Sequence, residues 1–314
     1  MNSKTCILIH YHELSLKGDN RVWFEKIFKR NLRKQLKPLP FTDIATKAAR
    51  VFIFGVDANR WNEYSTKLKK VMGLINAHLM HGVEPVLETI KVTSAELIGQ
   101  KKFESFRVST KRQYKDFELT SQELNQEIGA HLQSICNKPV KLKGADLNVV
   151  IELVNGRAYI GVDKIQGYGG LPVGTGENAI SLISSGIDSP VSSFEMIKRG
   201  VSLSYVHFHS APATSRQSIK NVKRLLEIIA GYQIKCMLYN IPLLAIQEKI
   251  METAPSKFWV ILFRRAMMKM AEKIAENINA VALITGENVG QVASQTLSNM
   301  RATADAVELP IIRP

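Results

Sequence analysis

The sequence predicts an α/β protein in which a C-terminal parallel sheet follows two smaller α+β segments. After residue 178, apolar strand-like and amphipathic helix-like stretches alternate, which is typical of right-handed crossovers and of a parallel sheet with helices on both faces. Before that point, strands and helices alternate in two short blocks that meet near Glu84, which favours α+β units. The glycine-rich segment 167–176 lies between the two patterns as a linker. A length of 314 residues suits two or three domains.

The composition is that of an ordinary globular protein, with 45% hydrophobic and 22% charged residues. No apolar run reaches the roughly 18 residues of a membrane helix, and the N-terminus has the pattern of a strand followed by a helix, not of a signal peptide. We therefore expect a cytoplasmic protein without membrane association. Its cysteines, Cys6, Cys136 and Cys236, form no C-x-x-C pair, which argues against a disulfide framework and a cysteine zinc site.

The formal net charge of +14 favours a polyanionic partner, since each phosphate that is neutralised releases condensed counterions. Two basic stretches are candidates for contact with RNA. The first runs from Lys17 and Arg21 into a helix, and the second contains Lys111, Arg112 and Tyr114, whose ring offers a face to a base. A solvated helix surface and an exposed loop would give the same patterns.

Local patterns predict the elements of the N-terminal half. The tetrapeptide Thr120-Ser121-Gln122-Glu123 is a capping box that opens a helix. Asn155-Gly156 separates two apolar runs and predicts a hairpin with a type I′ turn. The other predicted elements are strands over Cys6–His10, Val51–Val56, Ser105–Thr110, Asn148–Val154 and Arg157–Val162, and helices to about Lys37 and over Arg60–Met72.

The stretch from Ile180 to Pro190, with the sequence ISLISSGIDSP, is the one most directly tied to chemistry. Four strand-like residues lead into a turn of Ser and Gly, and an amphipathic helix follows, with Ser189 as the expected N-cap. Such a turn directs several backbone N–H groups into one concavity, and the helix dipole adds partial positive charge there. The pattern predicts a phosphate-binding loop, although an ordinary strand–turn–helix junction has the same local sequence.

Segments 184–189, 207–210 and 286–295 follow predicted strands, and ligands of parallel sheets lie at the carboxyl ends of strands. The sequence has no Walker A pattern, which argues against a kinase or GTPase of that class. A G-x-G-x-x-A match at 174–179 precedes a strand instead of following one, so a nicotinamide site is rejected. The predicted elements here are strands over Leu203–Phe208, Cys236–Tyr239 and Val281–Thr285, and helices over 215–230, 242–252 and 256–276.

The loop resembles the pyrophosphatase loop, or PP-loop, written S-G-G-x-D-S. Downstream, the polar and glycine-rich run Thr285–Thr296 follows an apolar strand. Together these segments are similar to the tRNA 4-thiouridine synthetase family, tRNA sulfurtransferases that are also linked to thiamine thiazole formation. The start, with Glu13, Leu16-Lys17-Gly18 and Asn20-Arg21, resembles that family's ferredoxin-like domain. The middle, which ends in Gly167–Thr175, resembles its THUMP domain, an RNA-binding module.

The resemblance covers the whole chain and implies four segments. These are a ferredoxin-like domain over 1–75, a THUMP domain over 76–166, a linker over 167–177, and a PP-loop ATP pyrophosphatase domain of the adenine nucleotide alpha hydrolase-like fold over 178–314. Relatives run on past Leu309–Pro314 into a cysteine-bearing stretch. We therefore expect the last domain to be incomplete at its C-terminal end, with no match to the sulfur-carrying cysteine, for which Cys236 is not a substitute.

The resemblance also implies a set of nucleotide contacts. Asp188 is the expected catalytic residue and holds phosphate through Mg²⁺. Phe208 can stack on adenine, Arg265 can neutralise pyrophosphate, and Gln295 can read a polar edge. Phe208 lies in an apolar strand and is equally a candidate core residue. The implied ATP-binding residues are Leu182, Ile183, Ser184, Gly186, Asp188, Ser189, His207, Phe208, Arg265, Gly286 and Gln295, with Leu182 and Ile183 acting through their backbone.

The activity that the resemblance implies is adenylation of a tRNA uridine with ATP, followed by replacement of its 4-oxygen with persulfide sulfur. The expected cofactors are ATP and Mg²⁺, and the expected partners are tRNA and a cysteine desulfurase. A homodimer is compatible with the sequence. The product is 4-thiouridine, and the same sulfur chemistry is linked to thiamine thiazole synthesis.

Two alternatives stay open. Ser185 stands where the family has glycine, and a Cβ there weakens nucleotide binding if the backbone needs a positive φ. The chain would then be a tRNA-binding THUMP protein with a degenerate ATP site and no complete thiolation activity. The second alternative is a metal enzyme that uses His10-Tyr11-His12 and His207-Phe208-His209. No carboxylate cluster accompanies these pairs, and alternate strand positions give the same spacing without a metal.

Overall fold

The computed structural model of the chain describes residues 4–11, 13–113, 117–233, 235–292 and 294–314. The chain divides into two compact units, residues 1–169 and 170–314. The boundary between these units lies inside the glycine-rich segment that the sequence predicts as a linker.

A mixed seven-stranded sheet is the frame of the first unit. Its strands are β1 (Lys4–His10), β2 (Asp43–Lys47), β3 (Arg50–Phe54), β4 (Asn76–Val83), β5 (Phe106–Arg112), β6 (Leu147–Val154) and β7 (Arg157–Gln166). They lie in the order β2-β3-β1-β4-β7-β6-β5. The antiparallel pairing of β4 with β7 joins the two predicted α+β blocks in one continuous sheet.

Helices cover one face of this sheet. They are α1 (Arg21–Leu36), α2 (Trp61–Leu68), α3 (Leu87–Gly99) and α4 (Ser121–Cys136). Phe28 and Leu32 of α1 pack on Ile7 of β1, while Ile128 of α4 packs in a second cluster with Ile151 of β6. Two hydrophobic clusters therefore lie side by side under one sheet.

The opposite face of the sheet packs against itself because the sheet is strongly curved. The rings of Phe52 on β3 and Tyr159 on β7 lie 4.9 Å apart, although β1 and β4 separate their strands. On the same face, Arg50 contacts the fully buried Glu152, which also lies 2.7 Å from Nε2 of His10. Burial raises the pKa of this carboxyl, but its hydrogen bonds to His10 and Arg50 outweigh burial and lower the pKa overall.

Two local predictions for this unit are confirmed. Thr120 and Glu123 form the reciprocal capping box, with Thr120 Oγ1 accepting from the Glu123 N–H at 3.2 Å. Asn155 and Gly156 have φ of 48° and 70°, as a type I′ turn between β6 and β7 requires. The strand at 43–47 was not predicted, and α2 ends at Leu68, before the predicted Met72.

The second unit holds a five-stranded parallel sheet in the order β10-β9-β8-β11-β12. The strands are β8 (Asn178–Leu182), β9 (Ser202–His209), β10 (Leu238–Pro242), β11 (Leu283–Ile284) and β12 (Ile311–Ile312). The helices are α5 (Asp188–Lys198), α6 (Gln217–Gln233), α7 (Leu244–Thr253), α8 (Trp259–Asn277) and α9 (Leu297–Ala304). The prediction of a parallel sheet is confirmed.

Neighbouring residues of β8 show that helices lie on both faces of this sheet. Ile180 belongs to a hydrophobic cluster with Met268 of α8. The next side chain, Ser181, is fully buried and lies 2.8 Å from Ser193 Oγ of α5. Because successive strand residues point to opposite faces, α5 and α8 lie on opposite sides of the sheet.

Cys6 is fully buried, and Cys136 and Cys236 are half-buried free thiols. Burial raises the pKa of the Cys6 thiol to about 12, which keeps it protonated at neutral pH. In the part of the chain that the structure describes, no helix combines the length and apolar character needed to cross a bilayer.

Candidate functional site

A cavity of about 250 Å³ lies where β8 and β11 end, beside the start of α5. These strands pair in parallel, with Leu283 opposite Ile180, so the segments that follow them leave the sheet at the same edge. The residues that line this cavity are Leu182, Ser184, Asp188, Ser189, Arg264, Met267, Met268, Thr285, Gly286, Glu287, Gln291 and Gln295.

The loop between β8 and α5 is held in shape by its serines. Ser189 Oγ accepts a hydrogen bond from the Ser184 N–H at 2.9 Å and lies 3.1 Å from the Ser184 Oγ. Helix α5 begins at Asp188, so Ser189 lies in its first turn and is not the predicted N-cap. The residue in the N-cap position is Ile187, whose side chain makes no capping hydrogen bond. In the described part of the chain, the N–H groups of the first turn are therefore not capped by the N-cap side chain.

The residue that departs from the family pattern, Ser185, is exposed and does not have a positive φ. A Cβ at this position therefore carries no left-handed backbone strain. The next residue, Gly186, is also exposed and lies outside the lining of the cavity.

Gly286 allows the segment after β11 to pack against the start of α5. A Cβ built on Gly286 would lie 2.6 Å from the backbone nitrogen of Ser189 and 2.7 Å from the carbonyl carbon of Asp188. Only glycine allows the segment after β11 to approach the first turn of α5 this closely. The approach explains why residues from both segments line one cavity.

Three polar contacts define the charge distribution in and beside the cavity. Gln291 Nε2 donates to Asp188 Oδ2 at 2.8 Å. Arg264 Nη1 donates to Glu287 Oε1 at 2.7 Å, and Glu287 Oε2 accepts from Nε of Arg313 at 3.1 Å. Asp188 is thus held by a neutral donor, whereas Glu287 lies between two guanidinium groups.

Gln295 has an unused acceptor. Its side chain lines the cavity and is only 7% exposed, and its Oε1 is buried without a hydrogen-bond partner among the described residues. A buried polar atom without a partner costs about 1–3 kcal/mol. A ligand that donates a hydrogen bond at this position would remove that cost.

Three predicted residues lie beside the cavity, outside its lining. Ile183 is 3% exposed, and its carbonyl oxygen accepts from Nδ1 of the buried His207 at 3.0 Å. Because a carbonyl only accepts, His207 carries its proton on Nδ1. Burial lowers the pKa of His207, which keeps the ring neutral. Phe208 packs against the hydrophobic cluster of β8, β9 and α8, as the core interpretation predicts.

Arg264 is the arginine that lines the cavity, whereas the predicted Arg265 lies outside the lining. Arg265 donates to the carbonyl oxygen of Ala302 on α9. Consecutive residues of a helix point about 100° apart, so only one of the two can face the cavity. Arg264 lies on the stripe that continues through Met268 and Ala271, and a cation on an otherwise buried stripe was the signal that could have identified it.

Two carboxylates line the cavity. Glu287 is paired with two arginines, which leaves Asp188 as the carboxylate available to a cation near the loop. Among the described residues, no group of three or more His, Cys, Asp or Glu side chains is arranged to hold a metal ion. Magnesium commonly takes one or two carboxylates together with substrate phosphates. Asp188 therefore fits a magnesium ion that binds with a polyphosphate better than a resident metal.

The histidine pairs weighed as metal ligands have other partners. His10 contacts Asn76 Oδ1 and Glu152 Oε1, both at 2.7 Å, while His207 binds the Ile183 carbonyl. His12 lies outside the described residues.

The basic residues predicted to meet RNA all belong to the first unit. Lys17 Nζ lies 5.1 Å from the centre of the Phe24 ring, and Arg21 pairs with Glu25 at 2.7 Å. Lys111 is exposed, whereas Arg112 donates to the carbonyl oxygens of the loop that follows it. Tyr114 lies outside the described residues. Lys111 is therefore the predicted contact whose charge is most accessible.

Sequence reasoning missed two further cations of this unit. Lys47 and Arg157 line a cavity of about 710 Å³ together with Phe54 and Tyr159. Lys47 Nζ lies 5.1 Å from the centre of the Phe54 ring. Lys47 and Phe54 belong to the paired strands β2 and β3, whereas Arg157 and Tyr159 belong to β7, so the cavity brings together parts of the chain that are distant in the sequence.

Three family models match the chain. The model for the thiamine biosynthesis protein ThiI matches residues 174–314, the ThiI ferredoxin-like domain matches 6–77 and the THUMP domain matches 86–163. A curated relative from Thermus thermophilus, named probable tRNA sulfurtransferase, is 36% identical over 312 residues, 99% of this chain and 77% of the relative. One of the same name from Alkaliphilus oremlandii is 37% identical over 314 residues, 98% of this chain and 80% of the relative.

Solved structures agree with these matches. The chain has a TM-score of 0.88 and 33% identity to a 4-thiouridine synthetase that was crystallised as an RNA complex with bound ATP, covering 100% of this chain and 81% of that one. A protein from Pyrococcus horikoshii shares the fold with a TM-score of 0.75 at 22% identity, over 99% of this chain and 94% of that one. The predicted fold class, with ferredoxin-like, THUMP and PP-loop parts, is confirmed.

Proposed function

The chain belongs to the ThiI family of tRNA sulfurtransferases, and we propose that it uses ATP to activate the 4-oxygen of a tRNA uridine for replacement by sulfur. The observation that carries this proposal is that one cavity brings together the first turn of α5, Asp188 and Arg264. A helix start and an arginine bind phosphate, and a carboxylate beside them is the ligand that a phosphate-bound magnesium ion requires.

The proposal includes a direction for the bound nucleotide. The triphosphate lies against the loop between Ser184 and Ser189, where N–H groups of the helix start have no side-chain cap. The adenosine lies toward Leu182 and Gln295, whose unpartnered Oε1 is suited to accept from the exocyclic amine of adenine. Arg264 lines the same cavity and, as its cation, is the residue assigned to the phosphates.

The chemistry solves a leaving-group problem, since a uridine carbonyl oxygen does not leave as oxide. The uridine 4-oxygen attacks the α-phosphorus, the bond to the bridging oxygen of the β-phosphate breaks, and pyrophosphate leaves. The terminal sulfur of a donor persulfide then attacks C4, and AMP leaves with the former carbonyl oxygen. A thiol reductant cleaves the remaining S–S bond, so that the outer sulfur stays on C4 and the two thiols end as a disulfide. Arg264 offsets the charge that builds on the departing pyrophosphate. A magnesium ion held by Asp188 and the phosphates would supply further charge neutralisation there.

Two further parts of the proposal concern partners. Sulfur arrives as a persulfide from a cysteine desulfurase, and the same transfer serves thiamine thiazole synthesis. The first unit binds the tRNA, which is supported by its THUMP match and by the exposed Lys111. The relative solved with RNA and ATP supports the same pairing of substrates.

The test is AMP formation from ATP with and without tRNA, comparing wild type with Asp188→Ala and with the control Asp305→Ala. Asp305 is an exposed aspartate at the end of α9. We expect tRNA to stimulate AMP formation in wild type and the control, and Asp188→Ala to abolish it. Equal turnover by Asp188→Ala would remove the catalytic assignment, and tight tRNA binding with no AMP from wild type would favour a degenerate ATP site.

A further inference from the structure

Arg313 lies outside the cavity and contacts Glu287, the residue that accepts a hydrogen bond from Arg264 in the cavity. Its Nε donates to Glu287 Oε2 at 3.1 Å, while the other carboxylate oxygen accepts from Arg264 Nη1 at 2.7 Å. The side chain of Glu287 is 12% exposed, and each arginine is 21% exposed. The three side chains form one largely buried group with two positive charges and one negative charge.

The pairing of strands β11 and β12 places Arg313 next to Glu287. Strand β12 pairs in parallel with β11, so that Ile312 lies opposite Ile284, and the Thr285 N–H donates to the Ile312 carbonyl oxygen at 3.1 Å. Arg313 and Glu287 therefore emerge from adjacent strands at the edge where the cavity opens. The contact depends on sheet register, which makes it a fixed feature of the fold.

The arrangement matters when phosphate enters the cavity. A phosphate that takes Nη1 of Arg264 must share or displace the hydrogen bond from this atom to Glu287. Without a second partner, that move would leave a largely buried carboxylate uncompensated, and removing one partner of a buried ion pair is costly. Arg313 keeps Glu287 paired throughout the exchange. It also leaves the group with a net positive charge when no phosphate is bound.

We propose that Arg313 is a positioning residue for ATP: it holds Glu287 so that Arg264 is free to bind the phosphates. The inference rests on the proposed function, because it assumes that a polyphosphate enters this cavity. Arg313 itself does not line the cavity and touches no phosphate in this account. Its effect is transmitted through Glu287 to Arg264.

The test compares the dissociation constants of ATP and of adenosine by calorimetry, with Mg²⁺ present. Removal of the charge in Arg313→Gln should weaken ATP binding by about tenfold, because Glu287 then keeps Arg264, whereas adenosine binding should change by less than about twofold. Arg313→Lys should restore most of the ATP affinity. Arg301→Gln removes an exposed arginine of α9 and should leave both constants unchanged.

A double-mutant comparison separates this role from general damage. In an Arg264→Gln background, Arg313→Gln should have little further effect on ATP, because the group through which it acts is gone. Additive losses would overturn the inference, and so would an equal loss of adenosine binding in Arg313→Gln, which indicates a merely structural role. Unchanged ATP binding in Arg313→Gln would overturn this inference alone. A wild-type protein that binds no ATP would overturn the proposed function and this inference with it.

Discussion

Gln291 Nε2 donates a hydrogen bond to Asp188 Oδ2 at 2.8 Å, and this contact joins residues that are 103 positions apart. It links the segment after β11 to the first turn of α5 through the carboxylate to which we assign catalysis. A cation that binds Oδ2 of Asp188 together with ATP competes with this neutral donor for the same oxygen.

Gln291→Ala should therefore lower the Mg²⁺ concentration that gives half-maximal AMP formation, by about two- to threefold, the size of one modest hydrogen bond. A magnesium titration of AMP formation measures this shift. Gln217→Ala is the matched control, because Gln217 is exposed on α6 and the contact described for its side chain is with Asn221. A higher magnesium requirement in Gln291→Ala would show that Gln291 assists binding and does not compete with it.

Gly286→Ala should weaken ATP binding by about tenfold or more. The new Cβ would overlap the backbone of Asp188 and Ser189, and overpacking of this kind costs about 1–3 kcal/mol. Calorimetric titration with ATP measures the loss. Gly129→Ala is the control, because Gly129 lies inside α4 with open space around its Cβ position. Normal affinity in Gly286→Ala would mean that the two segments need not touch for nucleotide to bind.

The elements around the loop could be predicted because their signals are local. An apolar strand, a Ser and Gly turn and an amphipathic helix are each visible within about a dozen residues, and the rule that ligands bind at the carboxyl ends of parallel strands then places the site. Six of the predicted contacts line the cavity: Leu182, Ser184, Asp188, Ser189, Gly286 and Gln295.

The remaining features depend on information that is not local. Whether Arg264 or Arg265 faces the cavity depends on the rotation of α8 about its own axis. A rotation by one residue would exchange the positions of the two side chains. The contact between Arg50 and Glu152 depends on the curvature of a seven-stranded sheet, which no short pattern encodes. The strand β12 has two residues, which is too short for a periodic pattern. Its pairing with β11, which brings Arg313 to Glu287, could therefore not be predicted.

The stability of the first unit should fall as the pH drops below about 6.5. His78 is 5% exposed, and burial lowers its pKa from the ordinary value of 6.5 to about 4. The unfolded chain therefore takes up a proton between pH 6.5 and 4 that the folded chain does not, and protonation favours unfolding in that window. The free energy of unfolding should fall by about 2 kcal/mol between pH 7 and pH 5 from this group alone. His81 adds an effect of the same sign.

Urea unfolding of wild type and His78→Gln at the two pH values checks this prediction. The variant should lose most of the pH dependence, whatever its absolute stability. His131→Gln, at a position on α4, should keep the dependence of the wild type. An equally steep dependence in His78→Gln would assign the effect to other groups.

Lys111→Ala should weaken tRNA binding about equally for different tRNA sequences. Because an exposed lysine contacts phosphate and not base edges, the slope of log affinity against log salt should fall by about one. Filter binding at several salt concentrations measures this slope. Lys249→Ala, which removes an exposed lysine of α7 paired with Glu252, should leave the slope unchanged. A Lys111→Ala slope equal to that of wild type would remove this contact from the proposed RNA surface.

The most direct test of the ATP site is a crystal structure with Mg²⁺ and a non-hydrolysable ATP analogue. We predict that the triphosphate lies against the loop between Ser184 and Ser189, within reach of Arg264, with the adenine toward Gln295. Nucleotide density elsewhere in the chain, with this cavity empty, would contradict the account.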